Sequence, residues 1–172
     1  MSGPVAKGAP RRAMIRVFWV ALAIFVVDQL SKFWILRGLD LDTRGAIDVW
    51  PPLLNLRMAW NYGINFGLLA GEQGAVRWIL ISVALGIVLF VLVWLWRDPP
   101  GLRGQIAGGL LVGGALGNVV DRLLYGAVAD FINMSCCGID NPFAFNVADV
   151  AIFLGAVGLI LFPGPNGNGK RR

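Results

Sequence analysis

Residues 15–36 read IRVFWVALAIFVVDQLSKFWIL, and how this run is taken decides the fold. The basic residues Lys7, Arg11, Arg12 and Arg16 stand before or at its start, which is also the layout of a secretory signal with a charged head and an apolar body. Three features argue against that reading. Asp28 and Lys32 lie inside the run, no small-residue cleavage pattern follows it, and it is long enough for a helix to cross the roughly 30 Å of bilayer hydrocarbon. The run is therefore taken as an uncleaved spanning helix.

Three further stretches reach a similar length, at 77–96, 102–124 and 145–162. With 57% hydrophobic residues in a chain of 172 and a mean hydropathy of +0.69, the composition exceeds what a soluble core requires. The expected fold is an all-α membrane protein: one integral membrane domain with four transmembrane helices, a small exoplasmic β region at about 38–70, and a disordered basic tail at 163–172. Basic residues favour the cytoplasmic side. Nine of them flank one face, in the N-terminal tail, in the turn from Arg97 to Arg103, and at Lys170, Arg171 and Arg172, while only Arg37, Arg44, Arg57, Arg77 and Arg122 flank the other. Both termini are thus expected in the cytoplasm. The net charge of +5 is a topology signal, since no basic and aromatic residues interleave as a nucleic-acid surface requires.

Between the first two helices, Leu54, Leu56, Met58 and Trp60 alternate with mostly polar neighbours, the period of a half-buried strand. Pro51-Pro52 opens it and Gly63 offers a turn after it. In the third helix Gly109, Gly113 and Gly117 recur every four residues and give a smooth face for close helix contact. Cys136 and Cys137 are adjacent in an exoplasmic loop, and no histidine accompanies them. No metal site or catalytic role is assigned to them; local packing or an adventitious disulfide accounts for the pair.

A charge inside a spanning helix costs roughly 2.5 to 3.5 kcal/mol at its centre, so each one needs a reason. Asp28 and Lys32 are four apart and share a helical face, where an ion pair can fix packing. Asn118, Asp121 and Arg122 also fall on one face, with Asp121 expected to pair with Arg122 as scaffold. Asn146 and Asp149 suit a helix N-cap and its first turn. Asp130 is different. It follows the break at Gly126 in the apolar context Val128-Ala129-Asp130-Phe131-Ile132, with no basic neighbour, and Asp149 is available at the same membrane face. Two carboxylates that meet in a low dielectric share a proton. Such a pair can activate water and protonate a leaving amine, which is peptide hydrolysis by general acid and base.

Absences narrow the chemistry. Without histidine there is no Ser-His-Asp or Cys-His site and no HExxH zinc site, and no phosphate-binding loop is present. A small transporter or proton-handling protein is the rival from another class, because intramembrane charges also mark ion paths; here the charges crowd at one face. A non-catalytic assembly factor would explain the glycine face but not the paired carboxylates. The GxGD pattern of another group of intramembrane aspartic proteases is missing, since Gly-Asn-Val-Val precedes Asp121 and Ala-Val-Ala precedes Asp130.

Five motifs, in order along the chain, resemble those of one family. They are Asp28-Gln29-Leu30-Ser31-Lys32 (DQxxK), Asn61-Tyr62-Gly63 (NxG), Gly117-Asn118-Val119-Val120-Asp121-Arg122 (GNxxDR), Val128-Ala129-Asp130-Phe131 (VxDF) and Phe145-Asn146-Val147-Ala148-Asp149 (FNxAD). The family is lipoprotein signal peptidase, or signal peptidase II. The resemblance implies an inner-membrane aspartic endopeptidase that cleaves a prolipoprotein before its diacylglyceryl-modified cysteine, works as a monomer among membrane lipids, and needs no cofactor or nucleic acid. It implies Asp130 and Asp149 as the catalytic dyad. Asn61, Gly63, Asn118, Arg122 and Asn146 would orient the dyad or hold substrate, and Asp28, Lys32 and Asp121 would form a supporting network. The sequence departs from the family pattern at Trp60, where a basic residue is usual, and at Ile64-Asn65, where two small residues are usual.

Overall fold

The computed structural model describes residues 9–63, 73–136, 138 and 141–164. The expected tail beyond residue 164 and the departures at Ile64-Asn65 lie outside them, as do Lys7, Glu72, Cys137 and Asp140. Helix α1 (Ala9–Phe33) runs on through a π-helical turn (Trp34–Gly38) to the short helix α2 (Leu41–Arg44). Strands β1 (Ala46–Trp50) and β2 (Leu54–Asn61) follow, then α3 (Gln73–Arg97), α4 (Leu102–Tyr125), β3 (Val128–Asn133) and α5 (Val147–Leu161).

Three stretches, Pro10–Gly38, Gly74–Arg97 and Leu102–Tyr125, are long and apolar enough to cross a membrane. The expected fourth is shorter than the run at 145–162 implied. Helix α5 has 15 residues, or roughly 22 Å at 1.5 Å per residue, against a hydrocarbon core of about 30 Å. Its start explains the loss. Phe145 bridges to Ile132 as an extended residue, and Asn146 caps the helix with an extended backbone, so neither can be helical.

Helix α4 forms the centre of the bundle, and α1, α3 and α5 all pack on it. Most of its length is buried, whereas the outer helices expose large apolar side chains, among them Phe18, Trp19 and Phe33 on α1, Leu89 and Phe90 on α3, and Phe153 and Ile160 on α5. An outside this apolar has lipid as its solvent, and the chain is an integral membrane protein. The glycine stripe does what its spacing implies. A Cβ on Gly109 would come within 2.6 Å of the Val20 side chain, one on Gly113 would strike the Ala21 carbonyl oxygen, and one on Gly117 would lie 2.5 Å from a carboxylate oxygen of Asp28. Gly114 and Gly155 allow the same close approach between α4 and α5. Gly113→Leu should therefore destabilise the protein by about 1–3 kcal/mol through overpacking, read as a lower thermal midpoint in detergent. An unchanged midpoint would contradict the backbone contact.

The sheet is antiparallel with order β1-β2-β3. Strand β2 lies where the alternation put it, but the sheet is not confined to the segment between the first two helices. Its third strand is 128–133, which carries Asp130. Val128 to Phe131 are all buried, and a strand covered on both faces has no polar alternation to reveal it.

Candidate active site

Helix α4 ends at Gly126, whose left-handed backbone (φ +81°) is one that side-chain-bearing residues rarely adopt. The chain turns there into β3. Ala59 of β2 pairs with Asp130 and Asn61 pairs with Val128; because side chains alternate along a strand, Asn61 and Asp130 share a face. Asn61 Nδ2 donates to Asp130 Oδ2 at 3.1 Å. The Gly63 backbone N–H donates to Asn61 Oδ1 at 3.0 Å, and so holds the amide with its nitrogen toward Asp130.

Helix α5 begins with a capping box. The Asp149 N–H donates to Asn146 Oδ1 at 2.9 Å, and the Asn146 N–H donates to Asp149 Oδ2 at 3.1 Å. With its oxygen occupied by a backbone donor, the fully buried Asn146 points Nδ2 at Asp130 Oδ1, 2.7 Å away. The cap expected of Asn146 and Asp149 is present, and the same residues tie Asp149 to Asp130. Asn118 Nδ2 completes the shell around Asp149 by donating to Oδ1 at 2.9 Å.

Beneath this pair lies a buried ionic cluster. Lys32 Nζ is 2.7 Å from Asp28 Oδ2 and 2.7 Å from Asp121 Oδ2, and it donates to Asn118 Oδ1 at 3.2 Å. Asp28 also accepts from the Ala148 N–H at 2.9 Å, and Asp121 from the Ala129 N–H at 3.2 Å, so the cluster anchors the chain next to each member of the pair. The Asp28–Lys32 pair stands as expected. Asp121 is a correction: its cation is Lys32, not Arg122. Consecutive residues on a helix do not face each other, and Arg122 instead donates to the Asn118 carbonyl at 3.4 Å. Its Nε is buried without a partner among the described residues, in the field of Asp130 and Asp149.

Only 3% of Asp130 is exposed, and no cation among the described residues pairs with it. Burial, then the nearby charge of Asp149, push its carboxyl up to about 6, against the opposing pull of the bonds from Asn61 and Asn146 and of the Lys32 charge. A carboxyl that holds its proton to that pH beside a second one accepting two N–H bonds has the chemistry an acid–base couple requires. The candidate site residues Asp28, Lys32, Asn61, Gly63, Asn118, Asp121, Arg122, Asp130, Asn146 and Asp149 thus meet at one end of α1, α4 and α5 and on the adjoining sheet. Among the described residues, no three His, Cys, Asp or Glu side chains lie close enough to hold a metal ion.

Sequence reasoning missed two contributors. Gln29 Nε2 bridges Asp28 Oδ2 at 3.1 Å and Asp121 Oδ1 at 3.0 Å, and its place beside Asp28 was the available signal. Buried Asn133 donates to the carbonyls of Asn141 and Phe143 at 2.7 and 2.8 Å, holding the loop that leads to Asn146; nothing local in the sequence marks it. Trp60 donates its indole N–H to Asp42 Oδ1 at 2.9 Å, and its ring centroid lies 5.5 Å from that of Tyr125, which ties β2 to α2 and to the end of α4. Cys136 is disulfide-bonded.

Comparison with known proteins agrees with this architecture. Residues 20–163 match the family described as signal peptidase (SPase) II. A lipoprotein signal peptidase of Shewanella loihica is 43% identical over 148 residues, covering 86% of this chain and 84% of its own. One from Methylorubrum extorquens is 43% identical over 142 residues, covering 81% and 80%. A solved bacterial membrane enzyme, determined by the in meso method at 1.9 Å, superimposes with a TM-score of 0.72 at 30% identity over 84% of this chain and 90% of its own. A second, at 2.3 Å, gives 0.71 at 29% identity over 91% and 92%. With its motifs, its pair of amide-bonded aspartates and its apolar exterior, the chain belongs to the signal peptidase II family.

Proposed function

We propose that this protein is an intramembrane aspartic endopeptidase that cuts prolipoproteins just before the diacylglyceryl-modified cysteine, with Asp130 and Asp149 as its dyad. The observation that carries this reading is the position of Asn146, which donates from its side chain to Asp130 and from its backbone to Asp149. Asp149, each of whose oxygens accepts an N–H bond, takes a proton from water as the water oxygen bonds to the scissile carbonyl carbon. Asp130 gives its proton to the amide nitrogen as the C–N bond breaks. The products are the signal-peptide carboxylate and a new amino terminus on the lipidated cysteine, and one proton passing from Asp149 to Asp130 resets the pair. Arg122, with an unused Nε, is placed to steady a substrate carbonyl.

The protein sits in the bacterial inner membrane as a monomer, with both termini in the cytoplasm and the dyad near the periplasmic face, the orientation that the Lys and Arg distribution favours. Helix α5 serves as the fourth membrane helix, starting below the surface at the level of the dyad. The substrate's acyl chains stay in the bilayer while the sheet and the loop at 141–143 hold its peptide, so lipid anchoring supplies orientation. Cleavage by the purified full chain tests this directly. A diacylglyceryl-modified prolipoprotein should be cut before its cysteine, and the unlipidated peptide should be cut far more slowly. Equal turnover of both would overturn the lipid-anchored reading.

The acid role of Asp130 has a pH signature. Its proton is held below about 6 and lost above, so kcat/KM falls on the alkaline side as Asp130 ionises. The Asn61 bond favours the ionised form; Asn61→Ala removes it, and the alkaline limb should move to higher pH. A limb that stays or moves down would take the acid role away from Asp130.

A further inference from the structure

Three asparagines present their NH2 groups to the carboxylate pair, and each is held in that sense by a donor on its oxygen. For Asn61 the donor is the Gly63 N–H and for Asn146 it is the Asp149 N–H. Both belong to the backbone and are fixed by a turn and a helix cap. For Asn118 the shortest such contact comes from a side chain, the Lys32 ammonium at 3.2 Å, with a longer one from Asn146 Nδ2 at 3.3 Å. An ammonium can only donate, so the Asn118 atom facing it must be oxygen, and the NH2 is turned to Asp149 Oδ1 at 2.9 Å. The Asn146 NH2 is a weaker hold, because its shortest bond goes to Asp130 at 2.7 Å and it also reaches the Ala129 carbonyl.

We infer that Lys32 is a positioning residue for the reaction: acting through the Asn118 amide, it keeps a hydrogen-bond donor on Asp149 and so holds that carboxylate oriented to act as the base of the pair. The inference rests on the proposed dyad. Lys32 touches neither carboxylate of the pair, and it works by denying the amide its flipped state, in which oxygen would face Asp149 and no donor would hold it. The charged groups around Asp149 come from every side: Asp28 and Lys32 from α1, Asp121 and Arg122 from α4, and Asp130 from β3. A test that removes Lys32 must therefore balance charge.

The experiment uses the full-length protein in detergent with a diacylglyceryl-modified prolipoprotein, recording kcat, KM and the pH profile of kcat/KM. In the charge-balanced variant Lys32→Met/Asp121→Asn, the acid limb of the profile should rise by about one pH unit, the order expected for losing one hydrogen bond to a charged group. KM should stay within about twofold while kcat falls roughly tenfold to a hundredfold, as for a displaced catalytic group. Lys32→Arg, which keeps a donor, should leave the limb near its wild-type position. Asn118→Ala keeps the ion pairs and should move the limb the same way by itself; adding the two substitutions to it should move the limb no further. A purely structural role would lower the active fraction and leave the limbs in place. A stationary limb in either the charge-balanced variant or Asn118→Ala would overturn the inference, as would an undiminished shift in the Asn118→Ala background. All of these leave the dyad standing, whereas turnover by Asp149→Asn would overturn the dyad itself.

Discussion

Lys32→Met should destabilise the protein by about 3–5 kcal/mol, the usual consequence of removing one partner from a buried ion pair. Lys32 is 3% exposed, and its two carboxylates, Asp28 and Asp121, are 0% and 1% exposed. One ammonium therefore answers for two acids that water does not reach. Gln29, the Ala148 N–H and the Ala129 N–H remain as donors in the variant, but neutral dipoles do not neutralise two buried charges. The damage would spread, because those backbone N–H groups lie directly beside Asp149 and Asp130 in the chain. Adding Asp121→Asn should recover part of the loss, since a buried ionic group replaced together with its partner is often close to neutral. Thermal unfolding in a single detergent checks both. A Lys32→Met midpoint equal to that of wild type would show that the cluster is solvated or otherwise compensated.

The parts of this molecule that sequence revealed are those governed by local periodicity. Asp28 and Lys32 at i and i+4 do pair, and the four-residue glycine spacing does mark a helix contact. Asn146 and Asp149 carry a capping box whose bonds are local and therefore legible. What escaped depends on partners distant in the chain. The strand at 128–133 is covered on both faces and shows no alternation, so nothing local marks the segment of Asp130 as a strand. Phe145 looked like the first residue of a spanning run because nothing local says that Ile132 will take its backbone as a strand partner. Asp121 was assigned to Arg122 by adjacency in sequence, although the side-chain directions of consecutive helical residues diverge by about 100° and Lys32 is reached across the α1–α4 contact. The two carboxylates of the proposed dyad were thus readable, but the set of amides bonded to them was readable only as a list of residues.

The second large effect is on the chemistry. Asn in place of either dyad aspartate keeps the size and shape of the side chain but cannot accept or release a proton at catalytic pKa values. Asp130→Asn removes the acid, and Asp149→Asn removes the base and leaves one oxygen for the two donors that Asp149 accepts, at a stability cost of about 1 kcal/mol. Each should lower kcat by roughly a thousandfold or more, within the range that one general acid or base contributes, with KM little changed because neither carboxylate grips the lipid anchor. The decisive measurement is single-turnover cleavage of a diacylglyceryl-modified prolipoprotein by the two purified variants, inserted and folded like wild type, with the new amino terminus identified by mass spectrometry. The wild-type protein should release a product beginning at the lipidated cysteine, and neither variant should yield it above about a thousandth of that rate. Cleavage at the same bond within tenfold of the wild-type rate by either variant would contradict the dyad.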